Sequence, residues 1–243
     1  MNWILVTVLS ALLAGIVQGI IGFGSGIIIM SFLPYLLPIN QSAGISALVM
    51  ITSNIILVYK YRECISWRKL IGPYCIYVIV AAISVHLGKV LSVYLMKSLL
   101  GILFISLASY YIFFQKDNIN IKIPLKLKVL IFSLISGFFS GLFGIGGPLM
   151  ALYFLSIFKT KEEYLGNIQT FFLINSISIT VIRISNGVLI ASNIKFIVVG
   201  ILGAILGTFI ANKMINRINI HLISQIIYIL IGISGVLYLF NVI

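Results

Sequence analysis

The chain has 243 residues, of which 61% are hydrophobic and only 8% charged, and its 16 Lys and Arg against 4 acids give a formal net charge of +12. Soluble domains carry roughly a quarter charged residues, so the composition excludes an ordinary soluble domain and points to a polytopic membrane protein. The basic residues sit in short stretches between apolar runs, where membrane orientation places them. They do not form a nucleic-acid-binding patch, and Cys64 and Cys75 make neither a disulfide framework nor metal-ligand spacing.

Met1, Asn2 and Trp3 provide no basic leader, so the first apolar stretch is expected to persist rather than be cleaved as a signal peptide. Residues 3–37 are apolar but broken by Gly22, Gly24 and Gly26. As one helix they would run about 52 Å at 1.5 Å per residue, against a hydrocarbon core of roughly 30 Å. This predicts a re-entrant hairpin of two half-length helices, 3–20 and 27–37, with a turn at the glycines. Apolar runs at 43–59, 70–88 and 96–114 predict three spans. The polar stretch from Gln115 to Lys128, containing Pro124, reads as a linker. Residues 127–158 then repeat the broken pattern, with helices 127–143 and 148–158 around Gly144, Gly146 and Gly147, and further spans follow at 164–182, 193–212 and 222–243. None of these runs alternates apolar and polar at period two, as barrel strands do, so the fold class is an all-α integral membrane bundle.

Shifting the first half by 122 positions superposes Gly15 on Gly137, Gly19 on Gly141, Gly22 on Gly144 and Gly24 on Gly146. It also places Ser53 and Asn54 on Asn175 and Ser176, a polar pair inside an apolar helix in both halves, and Ala82 on Ala204. The chain therefore reads as two homologous repeats, 1–115 and 127–243, joined by a cytoplasmic linker at 116–126. A hairpin followed by three spans inverts the second repeat relative to the first. Loop charges then put 12 basic residues inside, among them Lys60, Arg62, Lys69, Lys159, Lys161, Lys213 and Arg217, and leave Lys89, Lys97, Arg183 and Lys195 outside. If each broken segment crossed fully, the repeats would be parallel and the division would be 10 to 6. The positive-inside rule favours the inverted arrangement.

The four acids, Glu63, Asp117, Glu162 and Glu163, all fall in expected loops. A membrane interior without carboxylates argues against cation coupling, a catalytic triad or a metal cluster, so no enzyme, cofactor or metal is expected. His86 lies near a helix end and His221 in an expected loop. An anion site needs no charged side chain, because helix N-termini present free N–H groups and partial positive charge. Gly22, Gly24, Ser25 and Gly26 in the first repeat, and Gly144, Gly146, Gly147 and Pro148 in the second, carry too many helix breakers to continue a helix. They are the predicted substrate-binding turns, with Pro148 suited to the first turn of the restarted helix. Ser53, Asn54, Gln169, Asn175 and Ser176 are the predicted side-chain donors, and interhelical hydrogen bonding is an equally open role for each. The outer glycines, Gly15, Gly19, Gly137 and Gly141, read as packing contacts. Arg183, at a span's end, reads as a snorkelling residue and as a weaker candidate for attracting anions at a vestibule. The basic loop from Lys60 to Lys69, with Trp67, reads as a cytoplasmic anchor.

The duplicated glycine-rich hairpins, Gly19 to Pro34 and Gly141 to Gly147, and the basic loop from Arg62 to Trp67 resemble those of the sulfite exporter TauE/SafE family, also called the toluene sulfonate uptake permease family. The likeness spans nearly the whole chain, which departs from the commoner triple-glycine pattern at Ser25 and Pro148. It implies a multi-pass permease of the cytoplasmic membrane that moves small sulfur-containing anions such as sulfite, sulfonates or sulfoacetate. The expected function is a secondary transporter binding such an anion between the glycine turns. A passive anion channel and a non-transporting scaffold protein are the alternatives. The expected partners are a small anion and the lipid bilayer, with no nucleic acid; the oligomeric state stays open, a homo-oligomer included.

Overall fold

The computed structural model describes residues 2–114, 124–214 and 220–240, and within the last segment the side chains from Tyr228 onward together with Gln225. The linker residues 115–123, with Lys116, Asp117 and Lys122, lie outside the described residues, as do 215–219 with Arg217 and the side chain of His221. Ten α-helices account for nearly all the rest: α1 Trp3–Ile21, α2 Ser25–Phe32, α3 Ile39–Lys60, α4 Trp67–Val90, α5 Val93–Ser109, α6 Leu125–Phe143, α7 Gly147–Ile157, α8 Lys161–Ser185, α9 Ile194–Met214 and α10 Ile220–Leu239. There is no strand among the described residues.

Helix starts follow local chemistry. Asn2 accepts from the Ile4 N–H ahead of α1, Ser92 from Leu95 ahead of α5, and Thr160 from Glu163 ahead of α8. Glu162 and Glu163 therefore stand in the first turn of α8 rather than in a loop, where they complement its dipole. α6 begins at Leu125, directly after Pro124, so the helix takes in residues expected to belong to the linker.

The glycines end α1 at Ile21 and α6 at Phe143, against expected ends at 20 and 143. Gly22 at φ 90° and Gly144 at φ 71° are left-handed caps, whereas Gly15, Gly19, Gly137 and Gly141 stay helical. At 19 residues each, α1 and α6 run about 28 Å and are long and apolar enough to cross a membrane. The short members of the two broken regions are α2, with 8 residues, and α7, with 11. In all, seven helices among the described residues meet the length and composition of a membrane span: α1, α3, α4, α5, α6, α8 and α9.

Helices from the two halves pack on each other: α1 on α9, α4 on α6, α3 on α8 and α5 on α10. Small residues allow the closest approaches. A side chain at Gly15 would strike the Ala204 carbonyl, at Gly207 the Leu12 carbonyl, at Gly137 the Tyr77 carbonyl and at Gly141 the Ala81 carbonyl. Trp3 meets Phe196 near the start of α9, and Gly19 meets Ala211 near its end, so α1 and α9 run parallel. By the same reasoning α6 runs parallel to α4, with Gly137 at Tyr77 and Gly141 at Ser84. The outward faces are apolar: Ile71, Ile79 and Ile83 on α4 and Val198, Leu202 and Phe209 on α9 are each more than half exposed, as a lipid-facing surface requires.

The basic residues gather at two ends. At one, Lys60 donates to Asn212 at 2.8 Å and Lys69 lies over the Phe158 ring. At the other, Lys89 donates to the Asn186 carbonyl at 3.0 Å and Lys195 lies over Trp3.

Candidate functional site

The two glycine turns touch in the middle of the bundle. The Gly26 backbone presses on the Gly144 carbonyl, so that any side chain there would collide with it, and Gly147 faces Phe23 and the Gly24 nitrogen. Each turn launches a short helix. In α2 the first intrahelical bond is Ile28 N to Gly24 O, so the N–H groups of Ser25, Gly26 and Ile27 have no intrahelical acceptor. In α7 it is Met150 N to Gly146 O, which leaves Gly147 and Leu149, since Pro148 has no N–H to satisfy.

A cavity of about 50 Å³ lies between these two N-termini. A water needs roughly 10–15 Å³ on this measure, so the space suits a small polyatomic solute or a few waters. Of the residues predicted from sequence, Gly24, Ser25, Gly26, Asn54, Gly144, Gly146, Gly147, Pro148, Asn175 and Ser176 line it. Gly22, Ser53 and Gln169 do not. Gly22 supplies the left-handed cap, and its carbonyl accepts from Gln169 Nε2 at 2.7 Å, so Gln169 braces the turn from behind. Ser53 accepts from Thr208 at 2.8 Å and donates to the Ala204 carbonyl at 3.4 Å, which ties α3 to α9. No carboxylate lines the cavity.

The register predicted between Gly24 and Gly146 holds in sequence but not in conformation. Gly24 has φ 98°, whereas Gly146 has φ −103°, open to any residue. Gly146 is instead a place of close approach, because the Tyr77 hydroxyl, paired with Ser140, occupies the space a side chain would take.

Gln18 is the residue the sequence reading missed. It is buried in α1, donates from Nε2 to Asn54 at 3.0 Å and to Gln169 at 2.8 Å, and accepts from Ser25 at 2.7 Å. It thus joins α1, α2, α3 and α8 beside the cavity. Ser140 on α6, which the 122-residue shift relates to Gln18, also lines the cavity and accepts from Asn175 at 3.3 Å. A polar residue four positions before the capping glycine in each apolar arm was the available signal. Ser46, Tyr77 and Phe172 also reach the cavity and carried no such mark.

Arg183 corrects another expectation. It does not snorkel: it is 1% exposed, with Nη1 donating to Asn40 O at 2.9 Å and Nη2 to Gly141 O at 2.6 Å. His86 is exposed at its helix end.

A multi-helix membrane protein in which two broken segments face their N-termini across a carboxylate-free cavity of mixed polar and apolar lining has the build of a solute permease. The chain belongs to the sulfite exporter TauE/SafE family, whose sequence profile matches residues 7–238. Membership makes it a membrane permease of the sulfur-anion exporter type. Comparisons with curated proteins and with solved structures give no match.

Proposed function

We propose that the chain is a secondary permease of the cytoplasmic membrane for a small sulfur oxoanion or organosulfonate, such as sulfite or sulfoacetate, bound in the central cavity. The observation that carries this reading is the meeting of two helix N-termini on one cavity with no carboxylate in its wall. Free N–H groups and partial positive charge from both sides stabilise an anion without a fixed cation. Asn175 adds an amide: one N–H donates to Ser140 at 3.3 Å, which leaves its second N–H for a ligand, and its Oδ1 has no partner within the protein. Bound anion would compete with Gln18 for the Ser25 hydroxyl and so couple occupancy to the junction of α1, α3 and α8.

The reading includes two inverted repeats with a re-entrant α1–α2 and α6–α7 pair. One feature supports the inversion: Lys60 lies with Asn212 and Lys69 with Phe158, which a parallel arrangement would place at opposite ends. Helix pairing that is unchanged when the halves are exchanged supports the duplication. Support for re-entry comes from α2, which rises only about 12 Å before the chain turns into α3. The end bearing Lys60, Lys69 and Lys213 would face the cytoplasm, and rocking of one repeat against the other would alternate access.

A thermal-shift panel on purified protein tests the site, using sulfite, sulfate, thiosulfate, sulfoacetate, taurine, phosphate and acetate. A ligand of the folded state adds about 2.7 kcal/mol at a hundred times its dissociation constant. The expected result is a selective shift with a sulfur anion that is lost in Asn175→Ala. Folded protein that responds to none of them overturns the anion site. Liposome flux separates a saturable carrier from a channel, which would pass measurable current.

A further inference from the structure

Arg183 is a buried cation with no carboxylate beside it. Among the described acids, Glu63 lies in the turn before α4, and Glu162 and Glu163 lie at the far end of α8, about 30 Å along the helix. Two backbone carbonyls, of Asn40 and Gly141, take two of its five N–H donors, and Nε finds no partner within the protein. Desolvating a charge so incompletely compensated costs several kcal/mol, more than fastening two helix ends repays.

Its place on α8 is informative. Phe172, Ser176 and Ile179 line the cavity, and Arg183 is the next position on that helical stripe, one turn or about 6 Å beyond. Helical side chains lean toward the N-terminus, which for α8 is the cavity side. Among the described residues, buried polar side-chain atoms without partners concentrate here. Asn175 Oδ1, Thr180 Oγ1 and Arg183 Nε follow one another along α8, and Ser84 Oγ on α4 adjoins Gly141, the residue that Arg183 holds. Buried polar atoms of this kind are expected to meet water or a ligand. The relation is one-sided: the 122-residue shift puts Tyr61 opposite Arg183, so the equivalent position of the first repeat holds no cation.

We propose that Arg183 is a second anion station, on the path between the central cavity and the end bearing Lys89. The proposal rests on the permease reading above and adds to it a specificity-determining residue. An oxyanion leaving the cavity past Asn175 and Thr180 would meet the guanidinium, whose planar fork binds two oxygens of one anion at once. It would displace the Asn40 and Gly141 carbonyls, and because Asn40 lies in the first turn of α3, its release frees one of the contacts that hold α3 to α8 at this end. With the anion gone, the carbonyls reclaim the guanidinium and the end recloses.

The test is uptake of radiolabelled sulfite, sulfate and sulfoacetate by full-length protein in liposomes, for wild type, Arg183→Lys, Arg183→Gln and the rim control Lys89→Gln. Anion-free thermal midpoints are measured in parallel. The station predicts that Arg183→Gln raises the half-saturation concentration about tenfold or more and that Arg183→Lys, which keeps charge but not the fork, raises it less. Lys89→Gln should leave it within twofold. A purely structural Arg183 would instead lower the midpoint and the maximal rate while half-saturation stays put, and that result overturns the proposal. If neither Arg183 variant folds, the residue belongs to the scaffold and the proposal also fails. If wild type carries none of the three anions, the permease reading itself has failed, a different outcome from wild-type uptake that ignores Arg183.

Discussion

Replacing Gln18 by Ala tests the polar junction beside the cavity. The substitution removes three hydrogen bonds, to Asn54, Gln169 and Ser25. Ser25 and Asn54 line the cavity, where water can take over their lost bonds, but Gln169 does not, so its Oε1 becomes an orphaned acceptor. An orphaned buried group costs about 1–3 kcal/mol, and interhelical hydrogen bonds in membrane proteins average about 0.6 kcal/mol each. The expected loss is therefore about 2–4 kcal/mol, read as unfolding free energy of purified protein in mixed micelles. The Gln169→Ala variant should couple to it: once Gln18 is gone, removing Gln169 also removes the orphan, so the double variant should lose about 1 kcal/mol less than the sum. A loss below about 0.5 kcal/mol, or strict additivity of the pair, would refute the view that Gln18 fastens α1 to α8.

Three further outcomes follow from packing. Gly207→Ala forces a methyl into the Leu12 carbonyl across the α1–α9 contact and should destabilise by about 2 kcal/mol or more, whereas Gly72→Ala, with nothing near its added methyl, should be neutral or stabilise by about 0.5–1 kcal/mol in the same unfolding titration. Gly146→Ala suits the φ of that position but meets the Tyr77 hydroxyl and the Ser136 carbonyl; adding Tyr77→Phe should recover part of the lost thermal midpoint, and no recovery would remove the Tyr77 hydroxyl as the cause. Asn167 donates to the Cys64 and Glu163 carbonyls and accepts from Ser66 N, so Asn167→Ala should loosen the loop between α3 and α4 and speed amide exchange at Ser66, with a stability loss of about 1–3 kcal/mol.

The class of protein was set by composition, because an apolar run can satisfy its backbone in lipid only as a helix or a closed barrel, and these runs lack the barrel period. The doubled glycine turns were also legible, since several breakers within five residues stop a helix in any surroundings: Gly22 and Gly144 are left-handed caps in both halves. The resemblance to the TauE/SafE family rested on those same residues, and the match over 7–238 bears it out. The bounds of α1 and α6 were legible too, but at 19 residues each helix is long enough to cross a membrane and not only half of it; Gly15 and Gly19, read as packing contacts, stay helical with α9 flush against them.

What only the tertiary structure decided is which polar residue faces what. Ser53 and Asn54 are neighbours in sequence, but one ties α3 to α9 and the other lines the cavity, because successive residues on a helix point about 100° apart: Ser53 meets Thr208 from the second half, and Asn54 meets Gln18 from the first. Gln18 finds Gln169 across 151 positions, and Arg183 finds Asn40 across 143. A sequence shows that such groups must be satisfied once buried; which carbonyl or amide meets them depends on how ten helices pack, which no local pattern encodes.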